Sequence, residues 1–151
     1  MTKMKLKHHG VALVEFALIL PLLLLLIFVT TEFGRAVYQY NTLTKSVRNA
    51  VRYLSVQAPG TKLTEARNLA VYGNTSGTGS SLVVGLSLSN VPTPTWQTAG
   101  TVPVINTVKV TITGYVFRPL VFGTCGVSST FCVSFSNLTY NDITATMRAQ
   151  L

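Results

Sequence analysis

The sequence predicts an α+β fold in which a long N-terminal transmembrane helix extends outside the membrane and packs with a short helix and a small antiparallel β-sheet. Three observations lead to this prediction. Residues 11–29 are almost entirely apolar, apolar residues within 33–54 recur every three or four positions, and short stretches after residue 81 alternate between apolar and polar side chains. A membrane span, an amphipathic helix and several strands therefore follow one another along 151 residues.

The apolar segment has the length of a membrane-spanning helix. Its nineteen residues, 11–29, rise about 28 Å as an α-helix, close to the roughly 30 Å hydrocarbon core of a bilayer. Only Glu15 and Pro21 interrupt its apolar character. A cleaved secretory signal is the alternative, with residues 34–36 as the nearest small-x-small site. The apolar core is longer than that of such signals, so we predict a permanent anchor.

The basic residues predict a cytoplasmic N-terminus, because positive charge is retained on the cytoplasmic side of membrane helices. Lys3, Lys5 and Lys7 precede the apolar segment, and the formal charge of the chain is +8. Beyond this tail the basic residues are scattered, which favours lipid head groups over nucleic acid as its partner. The Ser/Thr/Gly-rich, acid-poor C-terminal part is predicted to be exported.

A helix is predicted to continue beyond the bilayer, from about residue 11 to 57, where Pro59-Gly60 ends it. Its apolar face must pack either on the C-terminal domain of the same chain or on neighbouring helices of an assembly. A basic stripe, Lys45, Arg48 and Arg52, lies away from that face. The face consists of Phe33, Val37, Tyr40, Leu43, Val47, Val51 and Leu54.

The C-terminal part predicts one small α+β domain. A second helix is expected over 61–72, with Thr61 as its N-cap and Gly73 as its C-terminal stop. Residues 90–103, which contain Trp96, are rich in Pro and Thr and are expected to form a loop. Strands are expected in four alternating stretches, 82–88, 108–112, 131–135 and 143–147. The predicted organisation is a basic cytoplasmic leader (1–10), a transmembrane segment (11–30), an extramembrane helix (31–57) and an exported α+β domain (58–151).

The two cysteines, Cys125 and Cys132, are predicted to form a disulfide, because export exposes them to an oxidising compartment. Two free thiols are the alternative. Both histidines lie before residue 10, so the exported part lacks the ligands of a metal site, and no metal or other cofactor is expected.

The residue inventory argues against an enzyme. The chain has only four carboxylates, and its exported part has no histidine to complete a Ser-His-Asp or Cys-His set. A phosphate-binding Gly-rich loop is also missing from the sequence. We therefore predict no catalytic residues and no small-molecule substrate.

Glu15 requires an explanation, because a carboxylate at the bilayer centre costs about 2.5–3.5 kcal/mol and less near an interface. One reading is that Glu15 reaches the head-group zone and is tolerated there. The other uses Gly10: cleavage between Gly10 and Val11 would create an amine four residues from Glu15. Positions i and i+4 share a helix face, so the carboxylate would pair with the amine of its own or a neighbouring subunit.

Three ordered motifs resemble the TadE-like family, whose members resemble minor pseudopilins of Flp (Tad, type IVc) pilus assembly systems. They are GVALVEFALILP at 10–21, EFGR at 32–35 and SVRNAVR at 46–52, and ARNLAVYG at 66–73 is similar to these proteins as well. The resemblance implies a pilin-like fold and cleavage by a prepilin peptidase after Gly10, with Glu15 and Phe16 as recognition and assembly residues.

The same resemblance implies a place and partners for the chain. It would be a single-pass protein of the bacterial inner membrane with a periplasmic C-terminal domain. Its partners would be other pilins and pseudopilins, Tad membrane assembly proteins, the prepilin peptidase and membrane lipid. The alternative is an unprocessed, membrane-anchored binding module of the cell envelope.

Overall fold

The structure is a computed structural model that describes residues 9–120 and 138–150. It contains a long helix, a short helix and small antiparallel sheets, so the predicted α+β class is confirmed. The chain divides into two compact units, Met1–Arg35 and Ala36–Leu151. The helices are α1 (His9–Ser55) and α2 (Leu63–Tyr72), with a 3₁₀ turn at Leu88–Asn90, and the strands are β1 (Thr95–Ala99), β2 (Ile105–Ile112), β3 (Val116–Phe117), β4 (Leu138–Thr139) and β5 (Ile143–Arg148).

The first unit consists of the apolar part of α1, and the helix continues through Pro21. The hydroxyl of Thr30 donates to the Leu26 carbonyl at 2.8 Å, as membrane helices commonly satisfy a hydroxyl group. The side chains of 11–29 are all exposed. Among the described residues, α1 is the one helix that is long and apolar enough to cross a membrane, and it fits a single-pass anchor.

The second unit contains a three-stranded antiparallel sheet in the order β1-β2-β5 and a two-stranded pair, β3-β4. The central strand β2 buries Val108, Val110 and Ile112 on one face. These apolar side chains form one core with residues of both helices. The helical members are Leu43, Val47, Ala50, Val51 and Leu54 from α1, and Ala66, Ala70 and Val71 from α2.

Two of the predicted strands are present and one is wrong. Stretch 108–112 lies in β2 and stretch 143–147 in β5, whereas 131–135 lies outside the described residues. Stretch 82–88 forms turns instead of a strand. Gly85, with a φ of +85°, takes a left-handed conformation that a strand does not allow. The segment buries Val83 and Leu86, which are three residues apart, and this spacing fits a turn.

Two local predictions near these elements are also wrong. The loop predicted around Trp96 contains β1, an edge strand that pairs with β2. Its side chains are mostly exposed, so the strand shows no apolar alternation in the sequence. Thr61 does not cap α2, because its hydroxyl donates to the Ala58 carbonyl at 2.7 Å. Lys62 precedes α2 in a left-handed conformation, and Gly73 ends the helix as predicted.

Only the C-terminal half of the predicted apolar face is buried against the chain's own second unit. From Leu43 to Leu54 the residues of this face are fully buried in the second unit. Phe33, by contrast, is 70% exposed and Val37 44% exposed. Before Leu43, the buried positions of α1 in the second unit are small or polar: Ala36 and Gln39.

Candidate functional site

The predicted processing site lies in the first turn of α1. Gly10 is the second residue of the helix, and both Gly10 and Val11 are exposed. Glycine is among the poorest helix formers, so this position contributes little to the stability of the helix. Opening the chain around the Gly10–Val11 bond therefore costs little, which suits a peptide bond that a protease must bind in extended form.

Glu15 and Phe16 follow on the same exposed stretch of α1. Glu15 forms no ion pair with any residue that the structure describes. It lies four residues after Val11 and therefore on the same side of the helix. The geometry leaves this carboxylate available to a partner group, as the hypothesis of a new amine at Val11 requires.

The remaining predicted site, the disulfide between Cys125 and Cys132, lies outside the described residues. Within the described ranges there is no group of three or more His, Cys, Asp or Glu side chains that could hold a metal ion.

Polar contacts that the sequence did not predict join α1 to residues beside the short strands β3 and β4 of the second unit. The Tyr115 hydroxyl lies 2.9 Å from the Gln39 Oε1 atom and 2.9 Å from the Val84 carbonyl oxygen. The Tyr140 hydroxyl donates to the Ala36 carbonyl at 2.7 Å. Buried polar groups are stable only when they are hydrogen-bonded, so these tyrosines explain why this part of α1 buries Gln39. The only sequence signal was Gln39 itself, next to the apolar helix face.

Tyr140 is also the centre of an aromatic cluster. Its ring centroid lies 5.7 Å from that of Tyr40 in an edge-to-face contact, 5.6 Å from Tyr115 and 6.5 Å from Phe117. Contacts of this kind contribute about 0.5–1.5 kcal/mol beyond area burial. Burial raises the pKa of the Tyr140 phenol. Through this cluster, the part of α1 at the start of the second unit packs against the strand region of the same unit.

The Tyr140→Phe variant tests this contact. It removes the hydroxyl donor to Ala36, and we expect the free energy of unfolding to fall by about 1 kcal/mol. In the wild type, the raised pKa of Tyr140 stabilises the fold below pH 10, and that contribution is lost as the pH rises through the folded-state pKa. The Tyr140→Phe variant has no phenol at this position, so it should not show this pH-dependent fall in stability. Thermal unfolding in detergent at pH 8 and pH 10.5 measures both effects, with Tyr38→Phe, at a 73% exposed position, as the control that should change neither.

Comparison with known proteins finds a similarity over the segment that contains the predicted processing site. The sequence model of the TadE-like protein family matches residues 10–52. Residues 10–52, which lie within α1, are thus similar to the TadE-like family. The resemblance predicted from the motifs at 10–21, 32–35 and 46–52 is thereby confirmed. A search of curated proteins and a search of solved structures each return no match.

The TadE-like segment covers less than a third of the chain and lies entirely within α1. It begins at Gly10, the residue after which cleavage is predicted, and it includes the apolar helix and the basic stripe. The similarity of residues 10–52 to the TadE-like family suggests a component associated with the Tad pilus. The strands of the second unit lie outside the matched residues.

Proposed function

We propose that this TadE-like chain is a minor pseudopilin that acts as a structural component in assembly of a bacterial Flp (Tad) pilus. One observation carries the proposal: the family match starts at Gly10 and covers an exposed apolar stretch of α1, 11–29, whose single carboxylate is Glu15 near its start. The apolar part of the helix provides the anchor, and Glu15 provides a charge for a neighbouring subunit.

The proposed location is the inner membrane, with the N-terminus in the cytoplasm and residues 58–151 in the periplasm. The three lysines before the apolar segment support this direction. The proposed partners are other pilins and pseudopilins, Tad membrane assembly proteins, the prepilin peptidase and the surrounding lipid. A structural role without catalysis agrees with the residue inventory of the exported part.

Processing is the step that separates this function from an unprocessed envelope binding module. We expect the chain extracted from membranes of a pilus-forming host to begin at Val11 and to lack residues 1–10. Intact-mass measurement of the extracted protein checks this directly. Retention of Met1 to Gly10 in cells whose major pilin is processed would contradict the proposal.

A matched pair of variants makes the same test specific to the cleavage site. Gly10→Leu should keep the leader, because its branched side chain obstructs a site where glycine leaves the backbone accessible. Ala12→Leu makes a comparable change two residues further on and should leave the mature mass unaffected apart from the substitution. Equal processing of both variants would argue against cleavage after Gly10.

A further inference from the structure

The exposed face of α1 in the second unit carries three basic side chains. Lys45, Arg48 and Arg52 are all exposed and lie three, four and seven positions apart, so they form one stripe along two turns of the helix. We refer to these three residues as the basic face. The opposite side of the same turns is fully buried in the core of the second unit.

The basic face has no neutralising partner among the described residues. The ion pairs within the described residues join Arg35 to Glu32 and Lys62 to Glu65. Residues 36–151 contain eight basic residues but only two carboxylates, Glu65 and Asp142. Like charges spaced three and four residues apart destabilise a helix slightly, and no ion pair among the described residues offsets this.

The composition of the surface limits what binds there. A second copy of the chain would present the same excess of positive charge and would be repelled. A helix that lies on a lipid surface needs a free apolar side, and here that side is occupied by the core around Val47 and Val51. The residues beside the basic face are Asn41 and Asn49, whose amides suit hydrogen bonds to a protein better than insertion into lipid.

We propose that the basic face binds an acidic helix of another protein subunit. A helix with carboxylates spaced at three, four and seven positions matches the basic face along two turns, and each arginine can bind a carboxylate through two parallel hydrogen bonds. Tyr38 and Val56, which are 73% and 48% exposed, lie at the two ends of the stripe and supply apolar contacts. The occupant is thus a helical protein surface rich in Asp or Glu.

A direct binding assay tests this surface on the full chain in an uncharged detergent. The probe is a fluorescent alanine-rich helical peptide whose glutamates lie on one face, compared with a peptide of the same composition whose glutamates are spread around the helix. We expect the one-face peptide to bind at least about fivefold more tightly, and to lose at least about fivefold in affinity with Lys45→Gln, Arg48→Gln and Arg52→Gln combined. High salt should weaken the interaction.

The matched control removes the same charge elsewhere. Lys109→Gln, Arg118→Gln and Arg148→Gln combined should leave peptide affinity unchanged, and the melting temperatures of both triple variants should equal that of the wild type. An equal loss of peptide affinity in both triple variants, or equal affinity for both peptides, would overturn the proposal. Binding would then depend on the overall positive charge and not on the basic face.

Two further probes test the other classes of occupant. Tighter binding to phosphatidylglycerol vesicles, or to an oligothymidylate, that is lost only with the basic face would overturn the proposal in favour of lipid or nucleic acid. These measurements are independent of the mature N-terminus, so the basic face and the processing at Gly10 can fail separately.

Discussion

Val47→Asp should unfold the second unit, whereas Val37→Asp should leave it folded. Val47 is fully buried in the core, and an isolated carboxylate there loses its hydration without gaining a partner. We expect a loss of more than about 4 kcal/mol in the free energy of unfolding, which is a large part of the total for a small domain. Thermal unfolding and limited proteolysis of the detergent-solubilised chain measure this loss.

The control variant makes the same change on the same helix. Val37 is 44% exposed, so an aspartate at that position remains in contact with water and should cost less than about 1 kcal/mol. Both valines belong to the apolar face that the sequence predicts, and only the structure distinguishes them. Similar destabilisation by the two variants would show that the whole predicted face is packed.

Glu15→Ala should reduce incorporation of the chain into the pilus assembly by more than tenfold while leaving cleavage after Gly10 intact. In a low-dielectric surrounding, removing one member of an ion pair leaves the other charge uncompensated, at a cost of about 3–5 kcal/mol. The uncompensated group would be the amine created at Val11. Immunoblots of sheared pili and of membranes measure incorporation, and intact mass measures cleavage.

Two companion variants separate charge from shape at this position. Glu15→Gln keeps the size of the side chain and removes its charge, so it should behave like Glu15→Ala. Val14→Ala alters the neighbouring exposed position and should leave incorporation near the wild-type level. Normal piliation with Glu15→Ala would show that the carboxylate is only tolerated near the head groups, and the assembly role assigned to it would be wrong.

The sequence was most informative where one pattern extended over many residues. The uniformly apolar run, its continuation as an uninterrupted helix and the alternation in β2 and β5 all appear in the structure. Short or edge elements were not predictable in the same way. β1 is an exposed edge strand, and its residues pair with β2 residues six to fourteen positions away in the chain.

The residues of the candidate site also differ in how far they could be predicted from the sequence. Gly10, Glu15 and the family resemblance depend on local order in the chain, so they could be identified without a structure. The contacts of Tyr115 with Gln39 and of Tyr140 with Ala36 join residues 76 and 104 positions apart, and no local pattern encodes them.

By itself, the sequence determined the apolar helix, its basic flank, the TadE-like motif and the poverty of catalytic groups, because each depends on residue types at short spacing. Only the tertiary structure decided which half of the amphipathic face is buried and which basic residues remain uncompensated. The physical reason is that periodicity shows which side of a helix is apolar, whereas burial depends on which strands the rest of the chain brings against it. Val37 and Val47 both belong to the predicted apolar face, and only Val47 is buried.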